Sequence, residues 1–197
     1  MRRFADREYW GKPIPGFGDP NAELLIVGLA PAAHGGNRTG RMFTGDESGN
    51  WLFRALHRAG FANQPESVDS SDGLALRDCY ITATCRCAPP QNRLLPVEIR
   101  NCRPYLHREI ALLKNVRVVV GLGRIGFDTA LTAFRETGLI DYRRRPAFGH
   151  GARYRFGPYT FIASFHPSQQ NTFTGRLTRP MLDRVFRAAR ASIASQK

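Results

Sequence analysis

The sequence predicts an α/β chain: a three-layer α/β/α sandwich around a central, mostly parallel four-stranded sheet. Two observations carry this. Four short apolar runs, LLIVGL (24–29), CYITAT (79–84), VRVVVGL (116–122) and YTFIASF (159–165), are continuous rather than alternating, as strands buried on both faces are. Segments of helical period lie between them, and strands alternating with helices wind into a layered parallel sheet. At 197 residues the chain is long enough for one full core, so residues 1–197 are read as a single domain.

The elements follow in order. Residues 10–20, WGKPIPGFGDP, form an irregular Pro/Gly-rich lead-in. After the first strand and a long loop, residues 49–59 place Trp51, Leu52, Ala55, Leu56 and Ala59 on one helical face, with Gly60 as the stop. A second helix starts at Pro96 and repeats Ile99, Cys102, Leu106, Ile110 and Leu113. A shorter one runs from Ile125 to Phe134. The last helix, about 178–195, turns Met181, Val185, Ala189 and Ile193 inward and Arg179, Arg184, Arg187 and Arg190 off that face.

Charge narrows the partner. The formal net charge is +13, and all but three of the 29 cationic side chains are arginines, whose planar fork suits phosphate. A polyanion such as nucleic acid is the sharper reading and a merely solvated basic surface the plainer one. No run approaches the ~20 apolar residues of a membrane helix. The start MRRFADREYW has no apolar segment behind its charges, so a soluble, cytoplasmic, nucleoid-associated protein is expected. In that compartment four cysteines are not expected to be disulfides.

In layered α/β folds ligands bind beyond the carboxyl ends of the strands, which directs attention to loops 28–46, 85–95, 121–126 and 166–177. The third spells GLGRIG (121–126), a dinucleotide fingerprint in strand-turn-helix context. Too little chain follows Gly126 for a full dinucleotide fold and a substrate domain, so a tight turn needing small residues is preferred. The first loop, GLAPAAHGGNRTGRMFTGD (28–46), is glycine-rich and basic but has neither usual phosphate spelling. The fourth, SFHPSQQNTFTGRLT (164–178), presents His166 at a strand end, its direction restricted by Pro167. The polar residues that follow suit phosphates or base edges.

These two loops and the segment YITATCRCAPPQNR (80–93) together resemble the uracil-DNA glycosylase superfamily, and within it the iron–sulfur-containing family 5, type b. The resemblance runs from about Tyr9 to the final helix. It implies a monofunctional hydrolase that flips uracil, and also hypoxanthine or other deaminated bases, out of double-stranded DNA. The N-glycosidic bond is then hydrolysed to leave an abasic site. A monomer acting on damaged duplex DNA, without a membrane, is expected. Such a reaction needs a carboxylate near an oxocarbenium-like sugar and donors near the departing base.

By the resemblance, Asp46 of FTGD activates water or stabilises the cation, although a residue just before a helix also suits a cap. His166 bonds the base O2, and Asn92 of PPQNR orients base or water. Phe43 stacks on the base, core packing being its plain alternative. The backbone at Gly28, Leu29 and Ala30 lines the same pocket. Ala83 stands where uracil-specific branches carry an asparagine, and loss of that amide implies broader base specificity. His34, Asn37, Arg38, Arg41, Ser168, Gln170, Asn171 and Arg176 are read as DNA contacts.

The family's [4Fe–4S] cluster takes four cysteines. Cys87 and Cys102 match its second pair, whereas the N-terminal Cys-x-x-Cys has no counterpart here. Either an upstream segment is missing, or Cys79 and Cys85 serve instead. Two further readings stand beside the glycosylase: a noncatalytic nucleic-acid-binding relative that has lost its cluster, and a nicotinamide-dependent oxidoreductase built on GLGRIG.

Overall fold

A computed structural model describes residues 6 and 8–196. Among the described residues the sheet has six strands, not the expected four. They are β1 (Phe17–Gly18), β2 (Leu24–Gly28), β3 (Cys79–Ala83), β4 (Val118–Leu122), β5 (Arg153–Phe156) and β6 (Tyr159–Ser164). Their order is β1-β3-β2-β4-β6-β5. The four expected strands form the parallel centre, and β1 and β5 close the edges antiparallel. Both added strands are short and half-exposed, so neither shows the continuous apolar run by which buried strands are read. The first lies inside the Pro/Gly-rich lead-in.

The α-helices among the described residues are α1 (Gly36–Thr39), α2 (Glu47–Arg58), α3 (Pro96–Leu112), α4 (Gly123–Glu136), α5 (Gln169–Phe173) and α6 (Arg179–Ala194). The helices α2 and α6 pack on one face of the sheet, where Leu24, Ile26, Ile81, Val118, Val120 and Ile162 point. Helices α3 and α4 cover the other, against Leu25, Val27, Val119, Phe161 and Ala163. Successive strand residues thus enter opposite cores, which is why the strands read as unbroken apolar runs. Each such side chain contributes roughly 1.5–3 kcal/mol of burial.

Local chemistry sets the helix ends. Gly60 takes φ 74° just after α2, as its stop position requires. Pro96 opens α3, where its missing N–H costs nothing, and Glu98 Oε2 accepts from the Leu95 amide at 2.7 Å. Arg190, expected off the buried face of α6, lies 3.6 Å over the Phe61 ring and donates to Asp78 and to the Ala59 and Gly60 carbonyls. It clamps α6 to the turn after α2.

The GLGRIG glycines have a packing reason. A Cβ on Gly121 would collide with the Phe127 backbone, and one on Gly126 would stand 2.5 Å from the Val27 carbonyl oxygen. They let α4 lie directly on β2 and β4, so nothing about them needs a pyrophosphate.

Candidate active site

The carboxyl ends of β2, β3 and β6 meet at one place. Gly28 and Ala83 are paired across β2 and β3, and Thr84 locks that end through its amide (2.9 Å) and hydroxyl (3.0 Å) to the Gly28 carbonyl. The Cys85 amide bonds the Leu29 carbonyl, leaving Leu29 and Ala30 half-buried at the mouth. A side chain on Gly28 would strike the Phe43 ring edge at 2.8 Å, so only a glycine lets that ring lie over the strand end. Phe43 in turn stacks on His166, ring centroids 5.7 Å apart and planes at 30°. The structure therefore brings together Gly28, Phe43, Ala83 and His166 from three chain segments.

Phe43 sits at φ 54°, a left-handed conformation that costs a bulky residue about 1–3 kcal/mol and persists only where the surroundings enforce it. Two constraints enforce it here. Gly49 of α2 packs its Cα directly on the Phe43 carbonyl, with no room for a Cβ. On the other side, buried Arg41 donates to Thr44 Oγ1 (2.9 Å), Ser67 Oγ (3.1 Å) and Asp72 Oδ2 (2.7 Å). Thr44 and Ser67 share a further bond at 2.7 Å, and the Gly45 amide donates to the Ser67 carbonyl. Burial opposes ionisation of Asp72, but Arg41 and the Leu74 and Val68 amides outweigh it and hold its carboxyl at about 2. Arg41, expected on DNA, is thus withdrawn: 5% exposed and committed inside the protein. Its single-residue signal in RTGRMF is the same for a phosphate ligand and a buried clamp. The supporting Ser67 and Asp72 lie in the loop between α2 and β3, 26 and 31 residues away from Arg41 in the chain.

Asp46 is the N-cap of α2, and its Oδ1 accepts from the Gly49 amide at 2.9 Å. Its Oδ2 lies over Gly35, where a Cβ would collide with it. Burial raises its pKa above the ordinary carboxylate value, against the lowering effect of the Gly49 and Ser48 amides. The cap bond to Gly49 thus engages one oxygen of the carboxylate, and the other faces Gly35. Burial pushes His166 down to about 4, so its imidazole is neutral at neutral pH. A neutral imidazole still carries one N–H, which can donate a hydrogen bond to a developing anion.

The expected DNA contacts surround this centre unequally. The His34 ring meets the Tyr9 hydroxyl at 2.7 Å, and Arg38 donates to the His34 and Gly45 carbonyls. Asn37 is half-buried in α1, its carbonyl accepting from the Gly11 amide. Beyond β6, Ser168 starts α5, Gln170 is exposed, and Asn171 Nδ2 donates to the His166 carbonyl at 2.9 Å. Arg176 lies exposed over the Phe165 ring. Asn92 closes the 3₁₀ turn Pro90–Asn92, and its side chain lies outside the described residues.

The cysteines divide. Cys79 is fully buried at the far end of β3, its thiol pushed up by burial, with no other cysteine near enough to affect it. It cannot join the others as a cluster ligand. The Cys85 thiol bonds that of Cys102 and is pushed up to about 12 by burial and then by that neighbour. Cys87 is exposed, and its thiol is raised by desolvation and by Cys102. Arg86, between them, pairs with the buried Glu109 at 2.5 Å, tying the loop to α3. Cys85, Cys87 and Cys102 thus lie near enough to influence one another, while no group of three His, Cys, Asp or Glu among the described residues is arranged to hold a metal ion.

A glycine-floored strand end, a neutral imidazole stacked on an aromatic ring and, on the same loop as that ring, a capping carboxylate with a raised pKa make up the candidate site. Comparison with known proteins identifies the family. The family profile of the uracil DNA glycosylase superfamily matches residues 15–190, and the chain belongs to that superfamily. Proteins named type-5 uracil-DNA glycosylase are similar over nearly its whole length. That of Mycobacterium tuberculosis is 50% identical over 96% of this chain and 70% of the relative. That of Thermus thermophilus is 49% identical over 96% and 84%, and that of Pyrobaculum aerophilum 44% over 97% and 81%. Type-4 enzymes are more distant, the Archaeoglobus fulgidus protein being 34% identical over 61% of the chain.

Proposed function

We propose that the chain is a monofunctional uracil-DNA glycosylase of the type-5 kind, removing uracil and also hypoxanthine or related deaminated bases from double-stranded DNA. The observation that carries this is the stacking of Phe43 on His166 over Gly28, with the Asp46 carboxylate on the same loop. A flipped nucleotide enters beside the Gly28 and Ala83 strand ends, and its base stacks on Phe43, which glycine at position 28 lets lie over the strand end. His166 hydrogen-bonds the base oxygen as negative charge collects there. Asp46, ionised, uses the oxygen not engaged with Gly49 to orient water or to stabilise the oxocarbenium-like sugar. Because Ala83 offers neither donor nor acceptor, the uracil edge is not read at that point, which supports the wider base range.

Cys85, Cys87 and Cys102 would be this chain's sulfur donors to an iron–sulfur cluster, and no step of base release runs through one. The net charge of +13 supports duplex DNA as partner. The direct experiment incubates the protein with a labelled U·G duplex and cleaves abasic sites with alkali. Strand breaks at the uracil position, and in parallel at hypoxanthine, are expected. Salt-sensitive duplex binding without any break would instead make the protein a noncatalytic relative.

A further inference from the structure

We propose that His150 is a positioning residue for His166, gripping the backbone amide of Phe165, the residue before it; this rests on the glycosylase reading of the site. Strand β6 ends at Ser164, so the half-buried Phe165 amide has no partner in the sheet and needs an acceptor. His150 Nδ1 supplies it at 3.1 Å. The imidazole also stacks on the Phe165 ring, centroids 5.0 Å apart and planes at 27°.

The segment carrying His150 is itself anchored. The Gly151 amide donates to the Ala163 carbonyl at 2.8 Å, and the Ala163 amide returns a bond to Ala152 at 2.9 Å. On its other side the ring shares a cavity with Met181 of α6 and feels its backbone. Since the Phe165 N–H donates to Nδ1, that nitrogen is unprotonated and the ring proton sits on Nε2. Burial first, and then Arg184 of α6, favour the same neutral form, against the opposing pull of the Met181 backbone; Arg153 of β5 lines the same cavity.

The backbone around His166 is thereby held on both sides: by His150 at the amide of the preceding residue Phe165, and by Asn171 Nδ2 at the His166 carbonyl. Its ring can then meet Phe43 and the base in one direction only. A misplaced imidazole loses the developing charge while leaving the rest of the DNA surface intact, so the effect falls on the chemical step.

The test compares three variants of the full chain on the U·G duplex, each checked for folding by thermal melt. H150F keeps the aromatic packing and removes the acceptor; kcat falls on the order of 10-fold with KM unchanged. H150N places an amide oxygen where Nδ1 stood and recovers most of that loss. H150Q places its oxygen near the Nε2 position instead and stays impaired, which keeps the comparison informative should H150F not fold. H150F with wild-type kcat, H150N no better than H150Q, or a loss appearing mainly in KM overturns the proposal. An inactive wild-type protein refutes the glycosylase reading. The grip itself is then read without catalysis, by 15N NMR of His150 and exchange of the Phe165 amide. Unprotonated Nδ1 with a protected amide upholds it, and a protonated Nδ1 overturns it.

Discussion

The two loops that build the site are held in opposite ways. Residues 28–46 are fastened from inside: Arg41, Thr44, Ser67 and Asp72 form a buried polar knot, Gly49 presses on Phe43, and Asp46 caps α2. Residues 166–177 stand out from the fold. Helix α5 buries no residue, Phe173 is 78% exposed, and the loop is retained by Leu177, by the Asn171 bond to His166 and by His150 behind it. The difference separates two tasks. Groups that act on the glycosidic bond gain from being preorganised before substrate arrives. Groups that meet a duplex gain from exposure, because their partner is not yet there.

The comparison breaks most sharply at Asp46. Asp46→Asn retains a good helix cap, so the protein should melt no lower than wild type, while kcat falls about 10²–10⁴-fold. Near-normal turnover in the Asp46→Asn protein would reduce Asp46 to its capping role. His166→Ala should follow, losing about 10²–10³-fold in kcat with abasic-duplex binding retained. Equal losses in rate and DNA binding would place His166 with the contact residues instead.

Arg41→Ala tests whether the first loop depends on its buried clamp. Removing one partner of a buried pair costs about 3–5 kcal/mol, and Asp72, left without Arg41, should no longer titrate near 2. A thermal melt and NMR titration of Asp72 read this. An unchanged melt would mean that Gly49 alone fixes Phe43. Arg176→Ala makes the smallest change: duplex affinity falls, the salt slope drops by about 1, and single-turnover rate is retained.

The pH dependence sharpens the same contrast. Asp46 must be ionised, and burial raises its pKa, so activity should climb above the ordinary carboxylate range. His166, held at about 4, should add no inflection near neutrality. Its folded pKa lies below the unfolded value of about 6.5, so its contribution to stability is present above that pH and fades as pH falls toward 4. A pH–rate profile with a limb near pH 6.5 that disappears in the His166→Ala protein would contradict this burial.

Much of the framework was legible in the chain. Four continuous apolar runs mark the parallel centre because both faces of those strands are buried, and helical period with Gly60 and Pro96 marks the layers. The motif loops place Asp46, Phe43 and His166 at strand ends, since residues close in sequence to a strand's carboxyl end must emerge there. What the chain alone left open are the properties of long-range contact. Arg41 reads the same on paper whether it faces phosphate or Asp72, 31 residues away. The contact of the Cys85 thiol with Cys102, and the isolation of Cys79 in the core, depend on how the helix after loop 85–95 packs. The edge strands β1 and β5 and the grip of His150 likewise exist only once distant backbone amides find their acceptors. Local pattern determined which segments are strands, helices and reactive loops; burial and pairing, which depend on the whole fold, decided which charges act and which only hold.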